Sequence, residues 1–199
     1  VRTLGAAAAA VLAMAGLAGC KTNVGTAAVV DGHRITETDV NQYLTANAQP
    51  IAQQDPNTGA TTEVSPRSFV VSTLINERLG FDLLKVIPSI SGTTEGQLDA
   101  QLQADLQGKT PGQVAEQIGL HGYTEDFAKL YLRVRELIIL VQQQPQTVRQ
   151  DAFQKVHFDA SVSPRYGTWD NKQFTFDAGA RVPGYLDPQS AAPAAQGNS

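Results

Sequence analysis

Cys20 carries the only thiol in the chain, and its thiolate would be the strongest nucleophile among the side chains present. A catalytic thiol needs a neighbouring base to take its proton, and no histidine lies near Cys20 in the sequence. The three histidines, His33, His121 and His157, are too scattered for the short spacings that gather imidazoles round a metal ion. Their contexts are bland. His33 follows an Asp-Gly turn, His121 sits in the loop G-L-H-G-Y, and His157 alternates with Val156 and Phe158. Glu95, Asp99 and Asp105 read as solvated charges on a helix face, and Arg133 and Arg135 as surface or ion-pair residues of another helix. No serine stands in a G-x-S-x-G setting, and no glycine-rich phosphate loop is present. Arg165-Tyr166-Gly167-Thr168-Trp169 sets two aromatic rings beside a cation, which suits a ligand or, more simply, packing. These residues imply no catalysis, no metal and no cofactor.

Cys20 does have a preceding segment suited to modification. The segment V-R-T-L-G-A-A-A-A-A-V-L-A-M-A-G-L-A-G begins with a short positive region at Arg2. An uncharged apolar stretch from Leu4 to Ala15 follows and then small residues, as a secretory signal requires. The stretch ends before Cys20, short of the roughly 20 apolar residues that cross a bilayer. Leu17-Ala18-Gly19-Cys20 resembles the bacterial lipobox, which is cut before a cysteine already carrying a diacylglycerol. Small residues at 18 and 19 let the backbone enter the peptidase, and only a thiol forms the thioether. Residues 1–19 are therefore expected to be a lipoprotein signal peptide, with Cys20 the lipid attachment residue and 20–26 a polar linker. Each buried methylene contributes about 0.8 kcal/mol, so two or three acyl chains (palmitate among them) anchor a domain stably. The expected location is the extracytoplasmic face of a cell membrane. In the competing reading, Cys20 is incidental to an uncleaved signal anchor.

The anchored part must be a folded domain. The 199 residues are 42% hydrophobic and 17% charged, enough apolar content for one domain with tails. A net charge of -4 argues against nucleic-acid binding, which needs clustered cations to displace counterions. One cysteine excludes an intrachain disulfide framework.

Ala28 to Val30 reads as a short strand stopped by the Asp31-Gly32 turn. Thr36 then caps a helix, with Asp39 as an acidic capping-box partner and Val40, Tyr43, Leu44, Ala48 and Ile51 on one face. Asp55 to Val64 reads as a polar loop. Ser65-Pro66 opens a helix to about Ile87 that buries Val71, Ile75, Leu79 and Leu83, with Gly80 weakening its middle. Further helices are expected over Thr94 to Leu106, from Thr110-Pro111 to Gly119, and from Thr124 to about Gln142, with at most a short helical turn after Pro145. Lys155 to Val162 alternates at period two, the pattern of a half-buried strand. Residues 171–199, rich in Gly, Pro, Ala, Gln and Ser, are expected to form a disordered tail.

Two segments resemble a known family. A-A-V-V-D-G-H-R-I-T-E-T-D-V-N-Q-Y-L is similar to the opening of SurA-type and PrsA-type extracytoplasmic chaperones, in which a strand ends in an Asn-Gly or Asp-Gly turn and "I-T" caps the first helix. V-S-P-R-Y-G-T-W-D resembles their later strand and "R-Y/F-G-x-W" turn. The resemblance covers residues 27–170. It implies a mainly α fold, a helical SurA-N-like (trigger-factor-like) chaperone module with a small two-stranded sheet joining the first and last strands. No room remains for the parvulin-type prolyl isomerase domain that such foldases often insert. What remains implied is client binding without catalysis. The expected partners are unfolded or newly secreted proteins, with the membrane reached through the N-terminal lipid. One alternative is a cell-envelope interaction lipoprotein with a dedicated partner; another, weaker, is a degenerate prolyl isomerase foldase.

Overall fold

The computed structural model describes residues 25–54 and 61–177. Its longest elements are α2 (Pro66–Val86) and α5 (Glu125–Gln142). Ser65 caps α2 by accepting from the Ser68 N–H, and Pro66 occupies the first turn, where its missing N–H costs nothing. Thr124 caps α5 in the same way, through the Phe127 N–H. The two helices pack along the apolar stripes set by their sequences: Val71, Ile75, Leu79, Leu83, Phe127, Val134, Leu137 and Val141 are all buried. Gly80 of α2 packs against Leu137 of α5. A Cβ placed there would stand 3.0 Å from Leu137 Cδ1 and 3.2 Å from Leu137 Cβ. The helix propensity lost at this glycine is therefore exchanged for close packing.

Two shorter helices, α3 (Glu95–Asp105) and α4 (Pro111–Gln117), open with capping boxes, Thr94 with Gln97 and Thr110 with Gln113. Leucines fix α3: Leu98 packs with Leu84 and Leu137, and Leu102 and Leu106 pack with Leu132.

The first helix is shorter than the apolar periodicity suggests. Thr36 and Asp39 form the expected capping box, but α1 ends at Asn41 (Glu37–Asn41) instead of running to Ile51. Between residues 43 and 49 the backbone makes local turns and exchanges three hydrogen bonds with the loop before α5. Thr124 N–H donates to Tyr43 O (3.0 Å), Thr45 N–H to Gly122 O (3.1 Å) and Gln49 N–H to His121 O (3.1 Å). Gly122 makes this crossing possible, because at its φ of +78° an added Cβ would fall 2.3 Å from the Asn47 carbonyl oxygen. Pro50, which lacks an N–H, also opposes a helix through Ile51.

The expected fold class needs correction. Among the described residues the fold is mixed α/β, about half helix and 18% strand, with six helices and three small antiparallel sheets. It is not a mainly helical module of the SurA-N type with one two-stranded sheet. In the first sheet the order is β2-β1-β5, formed by β1 (Thr26–Val30), β2 (His33–Thr36) and β5 (Ala160–Val162). Asp31 and Gly32 both have positive φ, +48° and +79°, the geometry of a two-residue hairpin turn, so the chain after them returns as β2 before the helix. The β1–β5 ladder, with Val30 opposite Ala160 and Ala28 opposite Val162, joins segments far apart in sequence. The second sheet pairs β3 (Ile51–Gln54) with β4 (Thr61–Val64), the latter lying where a loop was expected. Four-residue strands of mixed polarity carry too few alternations to stand out from a loop.

The third sheet pairs β6 (Thr168–Asp170) with β7 (Thr175–Asp177), the second of which lies inside the expected tail. Residues 171–177 belong to the fold because they bring Phe174 and Phe176 into the core. Phe174 meets the rings of Phe153 and Phe158, and the Asn171 side chain bonds both the N–H and the carbonyl of Ala160. The rest of the expected tail lies outside the described residues, as do Cys20 and the signal segment. After Pro145 a full helix forms, α6 (Gln146–Lys155), where at most a turn was expected. The period-two pattern of Lys155 to Val162 is real in burial: Val156, Phe158 and Ala160 are buried, His157 and Asp159 exposed. Only its last three residues join the ladder.

Candidate functional site

α2 and α5 place two charged residues, Glu77 and Arg133, at the margin of their contact, and the start of α3 supplies Glu95 and Asp99. Arg133, with only 12% of its side chain exposed, binds all three carboxylates: Glu77 at 2.8 Å, Glu95 at 2.8 Å and Asp99 at 3.0 Å. Lys129, one turn earlier on α5, adds a 2.7 Å contact to Asp99. Glu95 and Asp99, which read as solvated charges in the sequence, thus tie α3 to α5. A guanidinium spreads five donors in a plane, which suits a cation shared among three acids.

The charges respond to this arrangement. Burial pushes the Glu77 carboxyl above its ordinary range; the Arg133 hydrogen bond opposes this but does not cancel it. Burial also works against ionised Asp99, yet the hydrogen bonds from Lys129 and Arg133 outweigh it and hold that carboxyl below its usual range. Burial likewise opposes charge on Arg133, but Glu77 and Asp99 overcome it and raise its pKa.

Beside this network lies an open cleft of about 580 Å³ between the β1–β2 hairpin and α2, within the size range of small-ligand sites. Val30 and Ile35 from the sheet and Leu74 and Phe81 from α2 form its apolar floor. Its polar groups are His33, Glu77, Arg78, Lys85, Thr93, Glu95 and Arg133. Glu77, Glu95 and Arg133 are committed to one another, and Lys85 pairs with Asp82. Arg78 is exposed and has no ion pair among the described residues.

The remaining sequence candidates do not join this cleft. His121 holds Glu116 at 2.6 Å on the exposed surface of the α4–α5 connection, and His157 is exposed ahead of β5. Arg135 points to solvent, and Asp105 accepts from the Gln101 amide at 3.1 Å. The aromatic turn packs: Tyr166 is 3% exposed and donates its hydroxyl to Glu37 Oε2, Arg165 pairs with Glu37 at 3.1 Å, and Trp169 meets the Phe158 ring at 5.6 Å. The cleft itself had a sequence signal only in part. Arg133 read in the sequence as a surface or ion-pair residue, Arg78 was not singled out, and the hairpin wall depends on a strand, β2, that the sequence did not single out.

Among the described residues, no three His, Cys, Asp or Glu side chains converge as a metal site. No helix among them is long and apolar enough to cross a membrane. Comparisons of the chain with protein-family models, with curated proteins and with solved structures returned no match.

Proposed function

We propose that the chain is a lipid-anchored, non-catalytic protein of the extracytoplasmic membrane face that binds one dedicated partner. The observation that carries this choice over general capture of unfolded clients is the polarity of the surface. Among the described residues Ile118, at 44%, stands as the exposed large hydrophobic side chain, and the leucine and valine stripes of the helices are buried. A protein that accepts many unfolded chains works through contiguous exposed apolar surface, because apolar burial is non-directional and tolerates varied sequences. A surface of this polarity fits recognition by shape and charge, which favours one partner over many.

The lipid anchor rests on the Leu17-Ala18-Gly19-Cys20 segment. Cys20→Ala is expected to abolish incorporation of labelled fatty acid and to release the protein from membranes; continued labelling would contradict the anchor. Partner choice is tested by crosslinking in intact cells followed by quantitative recovery. A single protein recovered at a fixed ratio is the expected result, and a broad, variable set of secreted proteins would favour a general chaperone.

A further inference from the structure

Gly25, where the described chain begins, stands five residues after the expected lipid attachment residue Cys20. At no more than about 3.6 Å per residue, that tether reaches at most about 18 Å. α2 alone, with 21 residues rising about 1.5 Å each, is roughly 31 Å long. The tether is shorter than the domain, so the end that carries Gly25 is held at the membrane. Its neighbours are defined by contacts. The Gly25 carbonyl accepts from the Glu37 N–H at 2.8 Å, and the Ala27 carbonyl from the Ser163 N–H at 2.9 Å. Arg165 and the Tyr166 hydroxyl both reach Glu37. Arg34 donates to Thr26 Oγ1, and the charge of Arg67, in the first turn of α2, acts on the Tyr166 phenol. All three arginines are exposed, and Arg34 and Arg67 have no ion pair among the described residues.

Glu37, Asp39 and Glu63 offset most of the positive charge of this end, so net charge does not choose what covers it. The tether does, because acyl chains on Cys20 bring one surface within reach, the headgroup layer. We propose that the end formed by Thr26, Arg34, Arg67 and the Ser163–Tyr166 turn lies on the lipid headgroups, with the Arg34 and Arg67 guanidiniums bonded to their phosphates. A guanidinium matches a phosphate with two parallel bonds, whatever the rest of the headgroup. β1 and α2 both lead away from this end. Val30 lies roughly 13 Å of strand beyond Thr26, and Phe81 roughly 21 Å of helix beyond Arg67. Val30 and Phe81 both line the cleft, which is thereby held clear of the bilayer and open to the dedicated partner. This inference rests on the lipid-anchor reading and adds which face of the domain meets the membrane.

The test uses the acylated chain purified from membranes and reconstituted into vesicles of phosphatidylcholine and phosphatidylglycerol that carry a nitroxide on a fraction of the headgroups. Cys20 is consumed by the thioether, so a single introduced cysteine takes a fluorophore. Pro164→Cys labels the end beside Gly25, and His157→Cys the exposed position ahead of β5, at the opposite end of the first sheet. Unchanged melting temperatures show both folds intact. The expected result is at least threefold stronger quenching at 164 than at 157. Equal quenching, or stronger quenching at 157, would overturn the orientation. Adding Arg34→Gln and Arg67→Gln to Pro164→Cys should at least halve the quenching at 164; no change would overturn the phosphate contacts. Flotation of the vesicles separates this inference from the reading beneath it. A chain that floats with them but is quenched equally at both positions refutes the orientation alone, whereas a chain that carries no acyl group and does not float refutes the anchor and the orientation together.

Discussion

The bond from the Tyr166 hydroxyl to Glu37 fastens the turn after β5 to the first helix, across more than a hundred residues of chain. Its acceptor is a carboxylate, and bonds to charged groups contribute about 1.5–3 kcal/mol each. Tyr166→Phe keeps the ring and removes that bond, leaving Glu37 with Arg165 alone. It should lower stability by about 1–3 kcal/mol in denaturant melts, with the helical circular dichroism unchanged. Burial, then the bond to Glu37, pushes the Tyr166 phenol up to about 12. An unfolded tyrosine titrates near 10. A raised folded pKa means that the fold holds the phenolic proton more tightly than the unfolded chain does. The contribution is therefore complete below about pH 10 and lost as pH rises towards 12. Between these limits the wild-type melting temperature should fall more steeply than that of Tyr166→Phe. Parallel curves would show that this phenol does not couple to folding.

Between elements, the contact to weigh is Arg133, which clamps α2, α3 and α5 through three acids. Removing one partner from a fully buried ion pair costs about 3–5 kcal/mol; here Arg133 and Glu77 are largely buried but Glu95 is 61% exposed, so solvent screening makes the cost smaller. Arg133→Met should therefore cost about 1–3 kcal/mol, and adding Glu77→Leu should recover part of it by removing the most buried of the stranded carboxylates. Failure of the second substitution to recover stability would show that the cost lies in packing. Asp99, held below its usual range, contributes stability that is present above about pH 4 and lost as the pH falls through its depressed value. Glu77 has the opposite sign, its raised value favouring the fold at acid pH. The helices were legible in the sequence because each combines a cap with a sustained apolar period: Ser65-Pro66 and the Val71–Leu83 stripe define α2, and Thr94 with Gln97 opens α3. The short strands were not. Whether Ile51 extends a helix or opens β3 depends on the distant backbone of 121–124, which exchanges hydrogen bonds with Tyr43, Thr45 and Gln49. That partner is invisible to any local window.

For the whole molecule, segments from both ends of the described chain meet around α2 and α5. Asp31 in the first hairpin turn exchanges bonds with Asp159: its N–H donates to Asp159 O at 2.8 Å, and its carboxylate accepts the Asp159 N–H at 2.9 Å. The V-V-D-G and V-H-F-D-A-S-V segments read as strands, and the pairing between them, which only the family resemblance implied, is present within a three-stranded sheet. The same sequence could not separate buried stripes from exposed grooves, since Leu98 and Leu102 would read alike in either setting. That difference bears most on function, because general client capture needs apolar surface and recognition of one partner does not. The most direct measurement is suppression of aggregation. A chemically unfolded client is diluted into buffer with the full chain at equimolar ratio, and light scattering is compared with that for an inert protein at equal mass. For a protein that binds one dedicated partner, scattering is expected to match the control; strong suppression near stoichiometric ratio would contradict that reading and identify a general chaperone.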